Sequence, residues 1–147
     1  MSDNRMIATI GYENETLERV IEKLKRARIE RVIDIRAIAA SRRPGFSKTI
    51  LAASLDERGI SYVHLRALGT PKAGREAARS GRTAEMRAIY AQHLAEPEAQ
   101  LALKETLELA CQKPSALLCY EADAARCHRR IVAEHLHEER GLKVIDL

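Results

Sequence analysis

The sequence predicts a single three-layer α/β domain, in which a mainly parallel sheet of about five strands carries helices on both faces. Short apolar runs alternate along the chain with longer stretches whose apolar residues recur at helical spacing. This alternation is typical of a parallel sheet with crossover helices. The 147 residues are enough to bury a core, and we expect residues 1–147 to form one domain.

The first half of the chain contains three predicted strands and two predicted helices. The apolar runs MIATIG (6–11), RVIDIR (31–36) and ISYVHL (60–65) predict the strands. A helix over 16–28 has Asn14 or Thr16 available as its N-cap, and a helix over 47–58 is closed by Gly59. The apolar stripe of the first helix comprises Leu17, Val20, Ile21 and Leu24.

The second half begins with segment 66–82, which holds three glycines, one proline and five basic residues. Such long segments in compact domains are commonly functional, and we expect a mobile loop over the cleft with room for one short helix. The remaining predicted elements are helices over 83–94, 97–111 and 125–140 and strands over 115–121 and 142–147. Pro97 stands near a helix start, where proline is tolerated, and Gly141 follows the last helix.

Composition restricts the function classes. Aromatic residues make up 3% of the chain and Trp is absent, which argues against a base-stacking platform for single-stranded nucleic acid. The formal charge of +4 permits phosphate-bearing partners without requiring them.

Cysteine content and hydropathy bear on the compartment. Cys111, Cys119 and Cys127 form no even disulfide framework, and the start MSDNRMIATI lacks the apolar stretch of a signal peptide. We therefore expect a reducing cytoplasm. No apolar run approaches the roughly 20 residues that span a bilayer, so we expect no membrane partner.

Polar residues follow the ends of four predicted strands. In parallel sheets, ligands bind outside the carboxyl ends of the strands, near the point where the strand order reverses. We therefore expect the following residues to converge on one edge: Gly11 with Tyr12, Asp34 with Arg36, His64, and Cys119 with Glu121.

The run CYEADAARCHRR, from Cys119 to Arg130, predicts a turn from a strand into a helix, with Asp123 as its cap. Free backbone N–H groups at such a helix start attract anions. A zinc site is the first alternative for this run. However, neighbouring side chains on a helix point about 100° apart, so Cys127 and His128 are not expected to share an ion. No C-x2-C or H-x3-H pair is present, and we expect no metal and no cofactor.

A second alternative makes Cys119 a nucleophile, as in phosphatases of the C-x5-R type. Their thiolate ends a strand and their arginine begins the next helix. Here the position of that arginine holds Ala125, and Arg126 comes one place late. One extra residue would misdirect the N–H groups that such chemistry needs. Cys127 is more simply read as a small buried apolar residue.

Asp34 and Arg36 lie two residues apart on a strand and therefore share a face. One interpretation is a structural salt bridge that pins two loops. In the other, Arg36 and Arg129 bind a phosphate or carboxylate while Glu121 or Asp34 acts as a base. The sequence leaves both open.

The loop SRRPGF adds Arg42 and Arg43 to the same edge, in a turn enforced by Pro44 and Gly45. If segment 66–82 folds over that edge, a basic rim results. Its further members would be Lys48, Lys72, Arg75 and Arg82. Tyr12 would either stack on a ligand or cover the core.

The segments VIDIRAIAASRRPGFSK and LLCYEADAARCHRRIVAEHL, with TIGYENETLE and GISYVHLRALG, resemble in order and spacing the bacterial family called domain of unknown function 488. The similarity spans nearly the whole chain. It implies a compact cytoplasmic α/β domain and brings no established reaction. The chain departs from the family's common H-L-P-x-L-G-G segment, with Arg66 for the proline and Thr70 for the second glycine.

The leading hypothesis is an enzyme whose anion-binding cleft accepts a phosphorylated small molecule, a nucleotide or a nucleic-acid end. The reactive candidates are Glu121, Asp34, Cys119 and His128, and the binding candidates are Arg36, Arg42, Arg43, Arg129, Tyr12 and His64. The alternative is a non-catalytic nucleic-acid-binding module that uses the basic rim. The sequence also leaves a homo-oligomer open, because Leu101 and Leu107 can pack within the domain or on a second copy.

Overall fold

The computed structural model describes residues 5–147, in which five parallel strands form one sheet with six α-helices around it. Residues 1–4 lie outside the described part. The predicted domain, 1–147, and the N-terminal stretch examined for a signal peptide both begin with these residues. The elements are β1 (Met6–Gly11), α1 (Leu17–Arg26), β2 (Arg31–Asp34), α2 (Lys48–Glu57), β3 (Ser61–His64), α3 (Lys72–Arg79), α4 (Thr83–Leu94), α5 (Pro97–Gln112), β4 (Ser115–Cys119), α6 (His128–Arg140) and β5 (Lys143–Asp146). No helix within residues 5–147 is long and apolar enough to cross a bilayer.

The predicted α/β class is confirmed, because the sheet is entirely parallel and helices cover both of its faces. Alternate strand residues enter two separate cores, as the two-residue period of a strand requires. Ile7, Ile33 and Leu117 pack with α4, α5 and α6, whereas Ala8, Val32 and Leu118 pack with α1 and α2.

The strand order is β3-β2-β4-β1-β5, so β1 and β4 are neighbours at the centre of the sheet. From β1 the chain crosses over β4 to reach β2, through α1 on one face. From β4 it crosses over β1 to reach β5, through α6 on the other face. The two connections leave adjacent strands in opposite directions, which opens a crevice at the carboxyl ends of β1 and β4.

The start of α6 differs from the sequence prediction. A 3₁₀ turn, Ala124–Arg126, comes first, and the backbone N–H of Ala125 donates to the side chain of Asp123 (3.0 Å). Cys127 then has an extended backbone with φ −124° and ψ 148°, and α6 begins only at His128. Asp123 is therefore the N-cap of the short 3₁₀ turn and not of α6. The predicted helix over 125–140 starts three residues too early.

Segment 66–82 contains more regular structure than the sequence predicts. A 3₁₀ turn (Arg66–Leu68) is followed by α3, whose Gly74 and Ala77 are buried. The hydroxyl of Tyr90 in α4 donates to the carbonyl of Leu68 (2.6 Å) and ties the segment to the helical layer. The mobility of this segment stays a prediction.

Candidate functional site

The crevice between β1 and β4 depends on Gly11. A Cβ atom at this position would lie 1.8 Å from the backbone oxygen of Glu121, so only glycine lets the loop after β4 cross the end of β1. The backbone N–H groups of Tyr12 (3.1 Å) and Glu13 (2.8 Å) both donate to the carbonyl of Tyr120. This close approach fixes the position of Glu121 relative to β1.

A cleft of about 420 Å³ opens at this edge of the sheet. Its walls come from the ends of β1, β2 and β4, the loop after β2, and helices α3, α4 and α6. Six predicted site residues line it: Tyr12, Arg36, Arg42, Cys119, Glu121 and His128. The volume suits a small-molecule ligand.

The lining of the cleft is positively charged. Arg36, Arg42, Arg75 and Arg79 line it, and Glu121 is the single carboxylate among the described residues that do so. Arg42 and Arg79 are exposed, and Arg75 is half-buried with its Nη1 donating to the carbonyl of Thr70 (2.8 Å).

Asp34 and Arg36 form a buried ion pair beneath the cleft. Arg36 Nε donates to Asp34 Oδ1 (2.9 Å) and Nη2 to Oδ2 (2.7 Å), and the two side chains are only 5% and 0% exposed. Arg36 Nη1 also donates to the Phe46 carbonyl (2.7 Å) and the Tyr12 hydroxyl (3.1 Å). Four of the five guanidinium N–H groups are therefore used within the protein.

Asp34 accepts four hydrogen bonds in total, because the backbone N–H of Arg36 (3.1 Å) and the Tyr62 hydroxyl also donate to it. Burial would lower the pKa of Arg36, but the hydrogen bond and charge of Asp34 outweigh burial and raise it. Burial and the bond to Asp34 raise the pKa of Tyr62. This geometry favours the structural salt bridge over a base role for Asp34.

Cys119 and His128 line the floor of the cleft, and Cys127 meets them from behind it. His128 Nδ1 lies 3.5 Å from the sulfur of Cys119 and 3.7 Å from the sulfur of Cys127. The three ligand-type atoms lie within 4.8 Å of one another, and all three residues are buried. The thiol of Cys119 also donates to Glu121 Oε2 (3.5 Å), which brings the carboxylate to the same cluster.

The orientation of the His128 ring is fixed by its other nitrogen. Nε2 lies 2.7 Å from the carbonyl oxygen of Ile35 and must donate, because a carbonyl only accepts. Tyr90 packs edge-on against the ring, with centroids 5.1 Å apart. Nδ1 is thereby aimed at the two sulfurs.

The protonation of these groups is interdependent. Burial, the hydrogen bond to Cys127 and its charge raise the pKa of Cys119. Burial opposes a thiolate at Cys127, but the bond from Cys119 and the charges of His128 and Arg129 lower its pKa. Burial disfavours the imidazolium of His128, whereas Cys127 raises its pKa. Burial and then the charge of Cys127 raise the pKa of Glu121 to about 7.

The geometric reason against a shared ion at Cys127 and His128 is wrong. It assumes that both residues lie on a helix, whereas Cys127 has extended backbone and only His128 is helical. The change of backbone conformation between the two residues turns their side chains towards one point. The spacing of residues in the sequence does not reveal this switch from extended to helical backbone.

Three predicted binding residues do not line the cleft. Arg43 donates to the carbonyl of Glu15, and His64 Nε2 donates to the carbonyl of Arg36 (2.7 Å). Arg129 is 1% exposed and donates to the carbonyls of Glu121 and Ala122, so it holds the loop after β4 from behind. All three support the walls through backbone contacts.

Arg79 is the charged cleft residue that the sequence prediction omits. Arg75 is predicted only as a member of the basic rim. Both lie on α3, four residues apart, which places them on one face of the helix. That spacing is the signal that would have identified them. It is visible only if segment 66–82 is read as a helix.

Comparison with known proteins adds a family match. The model of the family described as domain of unknown function DUF488 matches residues 16–136, which include all of the cleft-lining side chains except Tyr12. The searches of curated proteins and of solved structures found no match.

Proposed function

We propose that the cleft of this chain, which belongs to the family described as domain of unknown function DUF488, is an active site for a phosphate-bearing ligand. The ligand class comprises phosphorylated small molecules, nucleotides and nucleic-acid ends. A reducing cytoplasm remains the expected compartment, in keeping with the free thiols of Cys111, Cys119 and Cys127.

The charge of the lining carries the proposal. Since Asp34 neutralises Arg36, the cleft retains three uncompensated arginines, Arg42, Arg75 and Arg79, against the one carboxylate of Glu121. Guanidinium groups suit phosphate oxygens, because they donate two parallel hydrogen bonds. A concave site with an excess of positive charge concentrates anions.

Two exposed apolar side chains line the cleft beside the arginines, which favours an organic phosphate over inorganic phosphate. Ile38 is 58% exposed and Tyr120 is 41% exposed, and both line the cleft. The ring of Tyr12 holds Tyr120 edge-on, with centroids 5.4 Å apart. An exposed aromatic ring that is already held in place suits the flat face of a nucleobase.

The reactive group of the proposed reaction, Glu121, lines the same cleft as the arginines. For a phosphate monoester, the step is hydrolysis: a water oxygen bonds to phosphorus and the ester P–O bond breaks. The proton lost by the water passes through Glu121 to the leaving oxygen. Glu121 is the group placed for this transfer, because its carboxylate lines the cleft beside Cys119.

The experiment is a thermal-shift and calorimetry panel with pyrophosphate, nucleoside mono- and diphosphates, sugar phosphates and short 5′-phosphorylated oligonucleotides. We expect one organic phosphate to raise the melting temperature. The double variant Arg42→Gln/Arg79→Gln should weaken its binding at least tenfold. The matched control is Arg26→Gln, which removes a charge from the end of α1, at the opposite edge of the sheet.

A second arm tests catalysis. Glu121→Gln should keep the ligand affinity within a few fold and abolish release of phosphate from the ligand found. The nucleic-acid-binding module would be supported instead of the enzyme by tight, steeply salt-dependent binding of long duplex or single strands that is unchanged in Glu121→Gln. Absence of any shift throughout the panel would overturn the proposal.

A further inference from the structure

We propose that Cys119, Cys127 and His128 bind a Zn²⁺ ion at the floor of the cleft, through Sγ, Sγ and Nδ1. The proposal concerns this cluster alone and does not require that the cleft binds phosphate. It replaces the expectation, drawn from the sequence, that the chain holds no metal.

The separations fit one tetrahedral ion. Bond lengths of about 2.3 Å for zinc to sulfur and about 2.0 Å for zinc to imidazole nitrogen place sulfur and nitrogen about 3.5 Å apart around a tetrahedron. The Nδ1 atom of His128 lies 3.5 Å from one sulfur and 3.7 Å from the other. The two sulfurs lie no more than 4.8 Å apart, so small side-chain movements are enough for all three atoms to contact one ion.

The imidazole has the orientation of a metal ligand. Zinc-bound histidines usually donate their second ring nitrogen to a carboxylate or a backbone carbonyl, which fixes the tautomer. His128 Nε2 donates to the carbonyl of Ile35 (2.7 Å), so the lone pair of Nδ1 points at the sulfurs. Tyr90 packs against the ring and prevents it from turning.

The backbone brings the two sulfurs to the same side of the imidazole. Cys119 is the last residue of β4, and Cys127 precedes the first residue of α6, where thiolate charge is favoured by the helix dipole. Their exposed fractions are 5% and 1%. Two thiolates and one Zn²⁺ ion sum to zero charge, which suits a buried site better than isolated ions would.

A thiol nucleophile with a histidine base explains this cluster less well. Such a pair needs one sulfur at the imidazole nitrogen, whereas here both sulfurs lie at the same Nδ1 atom. Cys127 also does not line the cleft and cannot reach a ligand there. Sharing of one nitrogen by two sulfurs is the arrangement of a three-ligand metal site.

Cys119 and His128 line the cleft, so an ion bound to them would be accessible from the cleft. Catalytic zinc sites have three protein ligands and keep one position for water or substrate. Glu121 lies on this side, with Oε2 3.5 Å from the sulfur of Cys119. A bound Zn²⁺ ion would supply Lewis-acid polarisation of a ligand oxygen and a water of lowered pKa.

Metal content of the purified full chain tests the proposal. We expect about one zinc per chain by mass spectrometry of the metals after preparation without chelator. Replacement by Co²⁺ should produce a sulfur-to-cobalt charge-transfer band and the intense visible bands of a tetrahedral ion. This spectrum needs no variant and is unaffected by folding defects of mutants.

Cysteine variants locate the ion. Cys127→Ser should reduce the bound zinc at least tenfold, whereas Cys111→Ser, a cysteine on α5 outside the cluster, should bind as the natural chain does. Circular dichroism checks that both variants are folded. Arg42→Gln/Arg79→Gln should also retain its zinc, which separates failure of the metal site from failure of phosphate binding.

Three results would each overturn the metal site. The first is a natural chain that holds no stoichiometric zinc after incubation with the ion and gives no cobalt spectrum. The second is equal metal content in Cys127→Ser and in the natural chain. The third is a Cys119–Cys127 disulfide, seen as the loss of two hydrogen masses, in protein kept with zinc under reducing conditions.

Discussion

Single residues decide how the loops of the cleft fit together. Asp34 and Arg36 are easily paired from the sequence, because strand residues two apart share a face. Whether Arg36 is free for a ligand depends on Tyr12 and Phe46, which accept its remaining hydrogen bonds from two other parts of the fold. Whether Asp34 is free depends in the same way on Tyr62. The candidate residues could therefore be predicted, but the partners that occupy their hydrogen bonds could not.

Replacement of Gly11 by alanine tests the close approach of β1 and the loop after β4. Because the new Cβ would overlap the backbone oxygen of Glu121, we expect the free energy of unfolding to fall by at least about 2 kcal/mol in urea denaturation. The control is Gly59→Ala, which meets no atom within 4 Å and adds only left-handed strain of about 1 kcal/mol. Equal losses in the two variants would show that the loop does not cross β1.

Removal of the Asp34 carboxylate tests the buried ion pair. Asp34→Ala leaves the Arg36 guanidinium buried without a counter-ion, and we expect a loss of about 3–5 kcal/mol. Glu85→Ala breaks an exposed pair with Arg82 and should cost less than about 1 kcal/mol. A double variant, Asp34→Ala/Arg36→Met, should recover part of the loss. Absence of coupling between the two positions would contradict the pairing.

At the scale of elements, two boundaries decide the chemistry. The late start of α6 lets Cys127 and His128 converge, and the presence of α3 places Arg75 and Arg79 on the cleft. The helix over 83–94 agrees with the prediction to the residue, and its buried side chains Met86, Tyr90 and Leu94 recur at four-residue spacing. The bounds of the short helix α3 could not be predicted, because Pro71 and three glycines interrupt segment 66–82 and favour its interpretation as a loop with room for one short helix. The Ala, Lys, Arg and Glu residues of α3 favour a helix, and its packing on α4 adds stability that eight residues alone would lack.

Hydrogen exchange tests the order of α3. We expect its amides to be protected, because Arg75 N–H donates to Pro71 and the helix packs on α4. The protection should be weaker than in α6, since only Gly74 and Ala77 of α3 are buried. A phosphate ligand should slow exchange in α3 further. If the backbone amides of α3 exchanged at the rate of an unstructured chain, the segment would be a loop and not a helix.

At the scale of the whole molecule, the topology creates the site. Alternating apolar runs were sufficient to predict a parallel sheet with helices on both faces. They do not contain the order β3-β2-β4-β1-β5, because strand neighbours are chosen by contacts between residues that are distant in sequence. The crevice between β1 and β4 follows from that order, and with it the meeting of Arg42, Arg79 and Glu121.

Crystals soaked in tungstate test this convergence most directly. Tungstate is a tetrahedral oxyanion like phosphate, and its anomalous scattering gives its position directly. We expect the strongest anomalous peak in the cleft, within hydrogen-bond distance of the guanidinium of Arg42, Arg75 or Arg79. An empty cleft in crystals whose tungstate peaks lie on other basic surfaces, such as the end of α1 at Arg26, would contradict the account.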